Sequence, residues 1–484
     1  QIFPDRFCEG VENKPMPFAD RIYQADKHAE PFWQPNEVGG HLNEDYFGGD
    51  LKGIQQKLPY LHEMGVDFIY LNPIFEAHSN HRYNTADYLN VDPLLGTNKD
   101  FEALCTAAKK YGIGIVLDGV FSHTGSDSRY FNREGRYGEG GAYRDPNSPY
   151  RCWYDFGPQY KDGYRSWWGF ETLPEVDEET PSYVEFITGP GGVIDTWLRR
   201  GAAGFRLDVA DELPDEFIEK VRAAVKRVSP EKFLLGEVWE DATTKFGFNK
   251  RRTYLLGKGL DSVMNYPFKN AVLDFVKGKP AEQAMTEILT ICEHYPAPAM
   301  DTALNFLSTH DTERALTVIA DEPANGRGRA WQSGRCVTGD AYEEGLLRLR
   351  MAYAIIYTLP GVPCLYYGDE IAMQGYRDPF NRAFFRWDAH EQRLRPVLAQ
   401  LAQLRHTCEA FRTGQLRVLR AEDGILHYQR VGKVETAEII VNRTEHIIVE
   451  TLASGKSTEV NPMGFTIVVE EVGHNPNHSY YDYV

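Results

Sequence analysis

Apolar runs that suit buried strands alternate along most of the chain with segments whose apolar residues recur at helical spacing. The segment LKGIQQKLPYLHEMG, residues 51–65, places its apolar side chains on one helical face and predicts a helix. The run VDFIYLNPIF that follows it predicts a buried strand. Asn98 is expected to cap the next helix, which ends near Gly112. The pattern therefore predicts repeated strand–helix units.

Eight strand candidates follow one another, most of them with helical stretches between them. Their sequences are QIFPDRF, VDFIYLNPIF, IGIVLDGVF, GFRLDV, FLLGEVW, LDSVMNY, ALNFLST and VPCLYYG. Strands joined by helical crossovers are typical of α/β proteins, because the crossover makes neighbouring strands parallel. Eight of them predict a (β/α)8 TIM barrel rather than an open sheet.

Two regions interrupt this rhythm. The third crossover, rich in Gly, Tyr and Trp, is far longer than the others and predicts an inserted subdomain or a functional lid. After about Arg412 short alternating strands such as QLRVLR, ILHYQR and AEIIVN predict a C-terminal antiparallel β-sandwich. The expected domains are a first barrel part at 1–122, the insertion at 123–190, a second barrel part at 191–411 and the C-terminal domain at 412–484.

Composition limits the classes of partner and the compartment. The 484 residues carry a formal net charge of −18, which disfavours nucleic acid or an anionic membrane as a partner, since both reward basic patches. The seven cysteines lie singly without CxxC spacing, so neither a disulfide framework nor a zinc knuckle is expected. No apolar run reaches membrane-span length and no signal peptide opens the sequence, which favours a cytoplasmic protein. Because the chain begins with Gln1 rather than Met, secretion after removal of a signal is the alternative.

Charged side chains cluster where the predicted barrel strands end. The carboxylates at four strand ends are Asp118, Asp208, Glu237 and Asp311. His123 and His310 lie within a few residues of two of them, and Arg206 lies two residues from a third. Taken singly, each carboxylate is better explained as a cap or turn residue. Four carboxylates together favour a catalytic site, because the carboxyl ends of the strands are where barrel enzymes place their catalytic residues.

Two chemistries use such a cluster. Metal-dependent hydrolysis needs closely spaced His and carboxylate ligands, and the sequence has no HxH after the first strand and no HExxH. Glycoside hydrolysis needs two carboxyl groups, one as nucleophile and one as acid/base, and is favoured here. Arg206 is then expected to hold Asp208 ionised, and Glu237 to lie in the apolar setting of a catalytic acid. The aromatic insertion would supply stacking faces for sugars, although Trp167 and Trp168 suit the core of the insertion equally well.

These segments resemble the alpha-amylase family, glycoside hydrolase family 13. The motifs DGVFSH, GFRLDVADE, GEVWE and FLSTHD occur in the order of that family, and LPEVD at 173–177 is similar to its fifth motif. QIFPDRF, SNHRYNTADY and the Glu212 of DVADE resemble the cyclomaltodextrinase, neopullulanase and maltogenic amylase branch. The resemblance covers nearly the whole chain.

The resemblance implies a role for each motif residue. Asp208 would be the nucleophile, Glu237 the acid/base and Asp311 the carboxylate that binds sugar hydroxyls and favours the distorted ring. The substrate-binding residues implied are Tyr83, His123, Arg206, Glu212, Trp239 and His310. Asp118 would support the site structurally. The implied activity is retaining hydrolysis of α-1,4 glucosidic bonds, with α-1,6 bonds left open; the alternatives are a 4-α-glucanotransferase with the same residues and a non-catalytic glucan-binding protein.

Departures from the family pattern bear on calcium and on assembly. Ser122 stands where many alpha-amylases have an asparagine that helps bind calcium, and CEGVENKP, residues 8–15, replaces the calcium loop of the branch. We therefore expect no cofactor and no bound metal, with calcium as the one candidate that the resemblance raises. The chain opens directly in the first barrel strand, without the N-terminal β-domain that builds dimers in the branch, so a monomer is favoured. The expected partners are α-glucan oligosaccharides and polysaccharides.

Overall fold

The computed structural model describes residues 1–12, 14, 16–17, 21–34, 43–471 and 479–483. Asn13 and Pro15, in the segment that replaces the calcium loop, lie outside the described residues. Among the residues described, none of the helices combines the length and the apolar character that crossing a membrane requires.

Seven of the eight predicted strand positions form short parallel strands. They are Phe68–Leu71, Gly114–Gly119, Gly204–Leu207, Phe233–Gly236, Ser262–Val263, Leu304–Phe306 and Val362–Cys364. The first five pair in this order as one sheet, and the last two pair with each other. A parallel bridge from Met264 to Leu304 connects the two groups, and a parallel bridge joins Ile2 of the first predicted strand to Leu71. The predicted alternation of strands and crossovers is confirmed.

Two predictions near the N-terminus are wrong in detail, and proline explains both. The first strand candidate is not a strand beyond its bridge at Ile2, because Pro4–Arg6 forms a 3-10 helix and proline has no N–H for a sheet ladder. The helix expected over residues 51–65 is divided into Leu51–Gln56 and Leu58–Glu63. Pro59 lacks the N–H that would continue the first helix into the second.

The predicted cap of the next helix is also wrong by one residue. Helix Asn98–Lys109 is capped by Thr97, whose side chain accepts the Asp100 N–H at 3.2 Å. The Asp100 side chain in turn accepts the Thr97 N–H at 2.8 Å. This reciprocal pair is a capping box, and Asn98 occupies the first helical position instead.

Most of the longer helices bury an apolar face in the core. The described α-helices are Leu51–Gln56, Leu58–Glu63, Asn98–Lys109, Pro181–Thr188, Val193–Arg199, Asp215–Val228, Tyr266–Lys277, Ala281–His294, Ala297–Met300, Ala315–Ala320, Arg329–Gln332, Gly339–Thr358, Leu394–Thr407 and Ala410–Thr413. In Asp215–Val228, for example, Phe217, Val221 and Val225 are buried at a spacing of four, which is one face of a helix. The buried side chains form one large core cluster.

The long third crossover has few regular elements and an aromatic interior. It contains the 3-10 helices Arg151–Trp153 and Trp167–Gly169. Phe131 and Tyr164 are buried and meet edge to face with ring centroids 4.6 Å apart. An isolated bridge from Glu175 to His123 ties the segment to the chain that follows the parallel strand Gly114–Gly119. This crossover therefore lies against the end of the sheet where the predicted site residues are located.

The described residues also form small two-stranded pairs beside the main sheet. The parallel pair is Ile22–Tyr23 with Asp45–Tyr46, and the antiparallel pairs are Phe75–Ala77 with Thr85–Val91 and Phe246–Gly247 with Lys250–Arg251. The remaining 3-10 helices are Ala210–Glu212, Asp369–Ile371 and Phe380–Arg382. Several of these elements carry site residues.

The C-terminal region forms two antiparallel sheets, as predicted. The larger sheet contains Gln415–Glu422, Ile425–Val431, Glu435–Asn442, Gly464–Glu471 and Ser479–Tyr483, and the smaller one pairs Ile448–Thr451 with Ser457–Val460. A separate apolar cluster that includes Ile440, Leu452 and Val460 is buried between them. The Arg430 guanidinium donates to the Thr358 carbonyl at 2.7 Å, which fixes this region to the end of the long helix Gly339–Thr358.

Candidate active site

One buried arginine joins carboxylates from three neighbouring strands. Arg206 lies in Gly204–Leu207, and its Nη1 donates to Asp118 Oδ1 at 2.7 Å and to Asp208 Oδ1 at 2.9 Å. Its Nη2 lies 2.8 Å from Glu237 Oε2 as an ion pair. Asp118 is paired with Arg206 in the sheet register, and Glu237 follows the next strand directly. Parallel strands bring their carboxyl ends to one edge, so the sequence order of these residues becomes a cluster in space.

The charge of Arg206 is shared, which changes the expectation for Asp208. Burial raises the pKa of Asp208 well above its ordinary value, Arg206 lowers it, and the charges of Glu237, Asp118 and Asp311 raise it again. Arg206 was expected to lower the pKa of Asp208, and it does; burial first, and then the three neighbouring carboxylates, outweigh it, so the net shift is upward.

The carboxylate of Glu237 has polar partners on both oxygens. Its Oε1 accepts the Trp239 indole N–H at 2.9 Å, and its Oε2 accepts the Val209 backbone N–H at 2.9 Å. The apolar setting predicted for Glu237 is therefore wrong. The Trp239 ring stacks on Tyr266 with centroids 4.1 Å apart and remains 44% exposed, and its predicted role in substrate binding stays a prediction.

Val209 reaches Glu237 through an unusual backbone conformation. Its φ of 40° and ψ of 50° lie in the left-handed region, which a β-branched residue rarely adopts. The turn reverses the chain directly after Asp208 and points the Val209 N–H at the carboxylate. Strained residues of this kind concentrate at functional sites, and no feature of the sequence indicates this one.

Asp311 and His310 occupy a turn held by residues from far along the chain. His310 Nε2 lies 3.1 Å from Asp311 Oδ2, and Arg382 Nη2 lies 3.5 Å from Asp311 Oδ1. Asn381 Nδ2 donates to the carbonyls of Thr309, His310 and Thr312, at 2.7 Å for His310. Burial and the charge of Glu237 raise the pKa of Asp311 to about 7, while 32% of its side chain stays open to solvent. Asp311 thus projects from a fixed turn into the open part of the site.

Tyr83 connects Asp118 to His310. The Tyr83 hydroxyl donates to Asp118 Oδ2 at 2.7 Å and lies 2.7 Å from His310 Nε2. The Tyr70 hydroxyl donates to the same Asp118 oxygen at 2.8 Å. Burial raises the pKa of Asp118, although Arg206 lowers it. Both oxygens of Asp118 are thus engaged by protein groups, as expected for a residue that supports the site.

A side-chain amide fixes the proton position on His310. Gln1 Nε2 lies 2.8 Å from His310 Nδ1. Since an amide nitrogen only donates, Nδ1 accepts and Nε2 carries the proton. Burial lowers the pKa of His310 well below its ordinary value, so the ring is neutral at physiological pH. The side chain is oriented to donate from Nε2 towards Tyr83 and Asp311.

His123 is enclosed beside the same tyrosine. Its Nδ1 lies 2.9 Å from the Ser122 hydroxyl and its Nε2 lies 3.1 Å from the Tyr83 carbonyl. Burial lowers the pKa of His123 to about 4, so this imidazole is neutral as well. Both ring nitrogens have protein partners, and its predicted contact with sugar hydroxyls stays a prediction.

Glu212 contacts the two adjacent tryptophans of the insertion. The Trp167 indole N–H donates to Glu212 Oε2 at 2.6 Å and the Trp168 indole N–H donates to Glu212 Oε1 at 2.8 Å. Trp168 is 78% exposed, so the alternative in which it belongs to the core of the insertion is wrong. Trp167 is partly buried and lies next to His123, with ring centroids 5.4 Å apart.

The described residues do not fit a calcium ion in the segment that replaces the calcium loop. Lys14 donates its ammonium to the carbonyls of Gly48 at 2.7 Å and Leu94 at 3.0 Å and lies 2.6 Å from Asp50 Oδ2. These are the hard oxygen donors that a calcium ion would need, and the ammonium occupies the space between them. Across the described part of the chain, histidines, cysteines and carboxylates form no group of three arranged to hold a metal.

Replacing Lys14 is expected to destabilise the protein. Lys14→Met removes the cation from the buried Asp50 carboxylate and leaves the Gly48 and Leu94 carbonyls without this donor, at a cost of about 3–5 kcal/mol. Thermal unfolding should show a lower midpoint for Lys14→Met than for the matched control Lys52→Met, whose side chain is exposed. A chelator should leave the wild-type midpoint unchanged. A chelator-sensitive wild type, or a Lys14→Met midpoint equal to the control, would contradict this account.

Comparison with known proteins agrees with the geometry. A model of the alpha-amylase catalytic domain matches residues 1–413. An amylopullulanase from Thermoanaerobacter thermohydrosulfuricus is 35% identical over 89% of this chain, which spans only 31% of that protein. A cyclomaltodextrinase from Geobacillus thermopakistaniensis is 32% identical over 92% of this chain and 68% of its own length. The ligand-free structure of the cyclic alpha-maltosyl-(1→6)-maltose hydrolase from Arthrobacter globiformis has a TM-score of 0.81 at 27% identity, covering 97% of both chains.

These matches extend beyond the short motifs. The family match and the structural likeness give the chain a (β/α)8-barrel catalytic domain followed by a β domain, the architecture predicted from the strand–helix rhythm. The resemblance found in the four strand-end motifs is confirmed, and the cyclomaltodextrinase match agrees with the predicted branch. The chain belongs to the alpha-amylase family of glycoside hydrolases.

Proposed function

We propose that this protein hydrolyses α-glucosidic bonds with retention of configuration. The observation that carries the proposal is the Arg206 guanidinium, which contacts Asp208 through one amino group and Glu237 through the other. Retaining glycosidases hold their two carboxyl groups about 5–5.5 Å apart, whereas inverting enzymes separate them by about 6.5–9.5 Å to admit a water. Two carboxylates on one planar guanidinium support the shorter separation.

In the first step Asp208 and Glu237 act on opposite sides of the bond that breaks. An oxygen of the Asp208 carboxylate attacks the anomeric carbon, the bond from that carbon to the leaving oxygen breaks, and the protonated Glu237 gives its proton to that oxygen. The product of the step is a covalent glucosyl ester on Asp208. Glu237 is positioned for the transfer by the N–H groups of Val209 and Trp239.

In the second step water releases the sugar. The Glu237 carboxylate takes a proton from a water molecule, the water oxygen attacks the anomeric carbon, and the bond to Asp208 breaks. Two inversions give net retention. Asp311, which is held by Arg382 and projects into the open site, would bind sugar hydroxyls and favour the distorted ring. Tyr83 and His310 lie close enough to bind the same sugar.

The proposal also includes a closed barrel and an inserted domain. The Tyr367 N–H donates to the Gln1 carbonyl at 3.0 Å and the Ile2 N–H to the Tyr70 carbonyl at 2.9 Å. These bonds support a closed barrel in which the first segment lies between its neighbours. The aromatic interior of the insertion supports an inserted domain at 123–190 between the two parts of the barrel. Monomeric state and cytoplasmic location stay predictions.

The proposed substrates are maltooligosaccharides, cyclodextrins, starch and pullulan. The relatives whose names point to cyclic, branched and α-1,6-linked glucans support this class, with α-1,4 bonds as the main target and α-1,6 bonds as a second one. A 4-α-glucanotransferase would use the same residues and differ only in whether a sugar hydroxyl replaces water in the second step.

Product analysis on a glucan panel tests the proposal. We expect reducing ends to be released from linear maltooligosaccharides, β-cyclodextrin, soluble starch or pullulan, and proton NMR of fresh product to show the α-anomer first. Products longer than the substrate would reassign the chain as a transferase. A β-anomer first would remove the retaining mechanism, and no release from any member of the panel would remove the proposed function.

The shared arginine predicts how activity responds to pH. Activity requires ionised Asp208, whose pKa is raised by burial and by the charges around it, so activity falls as pH drops through that raised pKa. Asp118→Asn removes one of those negative charges, so the positive charge of Arg206 stabilises ionised Asp208 more strongly. The acid limb of kcat/KM should then move to lower pH by about one unit. Asp211→Asn, in which the carboxylate pairs with Lys245 instead, is the matched control; an acid limb that stays in place or rises in Asp118→Asn would contradict the shared-charge account.

A further inference from the structure

Glu212 is engaged by protein groups on both carboxylate oxygens. Each oxygen accepts one indole N–H, from Trp167 at 2.6 Å and from Trp168 at 2.8 Å. The carboxylate comes from the 3-10 helix Ala210–Glu212, which begins two residues after Asp208, and the indoles come from the long third crossover. Glu212 therefore connects two parts of the chain that are separated by more than forty residues.

The contact holds Trp168 in a conformation that it would not adopt freely. Its φ of 51° and ψ of 23° lie in the left-handed region, which is disfavoured for an aromatic residue. Its ring is 78% exposed and packs into no core. Both the strained backbone and the exposure of a large apolar ring cost free energy, and the side-chain N–H of Trp168 donates to Glu212. Such an arrangement indicates a binding role for the exposed face.

The tryptophan pair lies beside His123, one of the predicted substrate-binding residues. Trp167 contacts His123 with ring centroids 5.4 Å apart and Trp168 with centroids 6.1 Å apart. A bridge from Ser166 to Pro174 closes the hairpin that carries the pair, and a bridge from Glu175 to His123 ties it to the sheet. The exposed ring therefore stands at the margin of the cleft that contains Asp208.

We infer that Glu212 is a positioning residue, which holds Trp168 as a stacking surface for a glucosyl unit outside the bond that is cut. This inference rests on the proposed function. The planar indole offers an apolar face of the kind that packs on the C–H face of a sugar ring. A unit bound there strengthens the binding of long glucans and contributes nothing to short ones. Glu212 thus controls substrate length through the tryptophan rather than by contact with sugar.

The first test compares kcat/KM on maltotriose and on maltohexaose. Trp168→Ala and Glu212→Ala should each lower the value on maltohexaose by about tenfold, mostly through KM, with little change in kcat on maltotriose. Phe68→Ala, which removes a ring that is 59% exposed at the other end of the barrel, is the matched control and should change neither value. Equal losses on both substrates would mean a structural role and would overturn the inference.

A double-mutant cycle separates positioning from direct sugar contact. Trp168→Phe keeps an aromatic face and removes the N–H that Glu212 accepts, and Glu212→Gln keeps an acceptor for only one indole. If Glu212 acts through Trp168, the double variant should be no worse on maltohexaose than the poorer single variant. Additive losses would show that Glu212 binds sugar itself and would overturn the inference. A wild type that cleaves neither substrate would instead remove the proposed function, which keeps the two failures distinct.

Discussion

Asp208→Asn is expected to abolish turnover and to leave the fold intact. The amide cannot form the glucosyl ester, and loss of a nucleophile in hydrolases costs about 10⁴-fold or more in kcat. The substitution preserves the shape of the side chain beside Arg206, which keeps its contacts with Asp118 and Glu237. Because three carboxylates share that guanidinium, removal of one negative charge should not lower the thermal midpoint.

The measurement is kcat on a glucan that the wild type cleaves, with circular dichroism and thermal unfolding of the same samples. Asp211→Asn, three residues further along the chain, makes the same chemical change outside the arginine cluster and should keep wild-type activity. Full activity in Asp208→Asn would remove it as the nucleophile. Inactivity together with an unfolded spectrum would point to a structural role instead.

Glu237→Gln is expected to show the second largest effect, with a dependence on the leaving group. The amide keeps the shape of the side chain and an acceptor for one of the two N–H groups of Trp239 and Val209, but it cannot give a proton to the leaving oxygen. On a natural glucan kcat should fall by about 10²–10⁴-fold. On an α-glucosyl fluoride, which needs no protonation to leave, formation of the ester should be nearly unaffected.

Azide extends this test to the second step. It attacks without deprotonation, so it should restore turnover of the fluoride by Glu237→Gln and give an α-glucosyl azide. Glu240→Gln, at an exposed glutamate paired with Lys245, is the control and should respond to neither reagent. An equal loss on fluoride and natural glucan, with no response to azide, would contradict the acid/base role.

The sequence was sufficient for the main residues because strand order determines where strand ends lie. Asp118, Asp208 and Glu237 follow or end neighbouring parallel strands, so the alternating pattern alone places them at one edge of the sheet. Arg206 is two residues before Asp208, and the period of a strand puts both on the same face. The local pattern of the sequence is therefore enough to predict that these four residues lie close together.

The surroundings of these residues could not be predicted, because they come from distant parts of the chain or from backbone geometry. Asn381 and Arg382 hold the His310–Asp311 turn from about 70 residues away, and no local pattern indicates the contact. The left-handed Val209 is a non-glycine residue in a conformation that sequence rules assign to glycine. The apolar setting expected for Glu237 is wrong because Val209 and Trp239 donate to its two oxygens. Arg206 lowers the pKa of Asp208 as expected, but burial outweighs it.

Aromatic residues of the insertion show an intermediate case. The aromatic composition indicated sugar-stacking faces. It could not decide whether Trp167 and Trp168 stack on sugar rings or belong to the core of the insertion. The decision depends on Glu212, which is separated from them by more than forty residues and accepts both indole N–H groups. Exposure of the second ring follows from that contact and from the backbone turn at Trp168.

The most direct test of the account is to trap the sugar on the enzyme and locate it. A 5-fluoro-α-glucosyl fluoride should form the ester rapidly and release it slowly, and intact mass followed by peptide mapping should place one glucosyl group on Asp208. Asp208→Asn should acquire no label under the same conditions. A label on Glu237 or Asp311, or turnover that yields the β-anomer with no labelled peptide, would contradict the central claim that Asp208 forms the covalent intermediate of a retaining hydrolase.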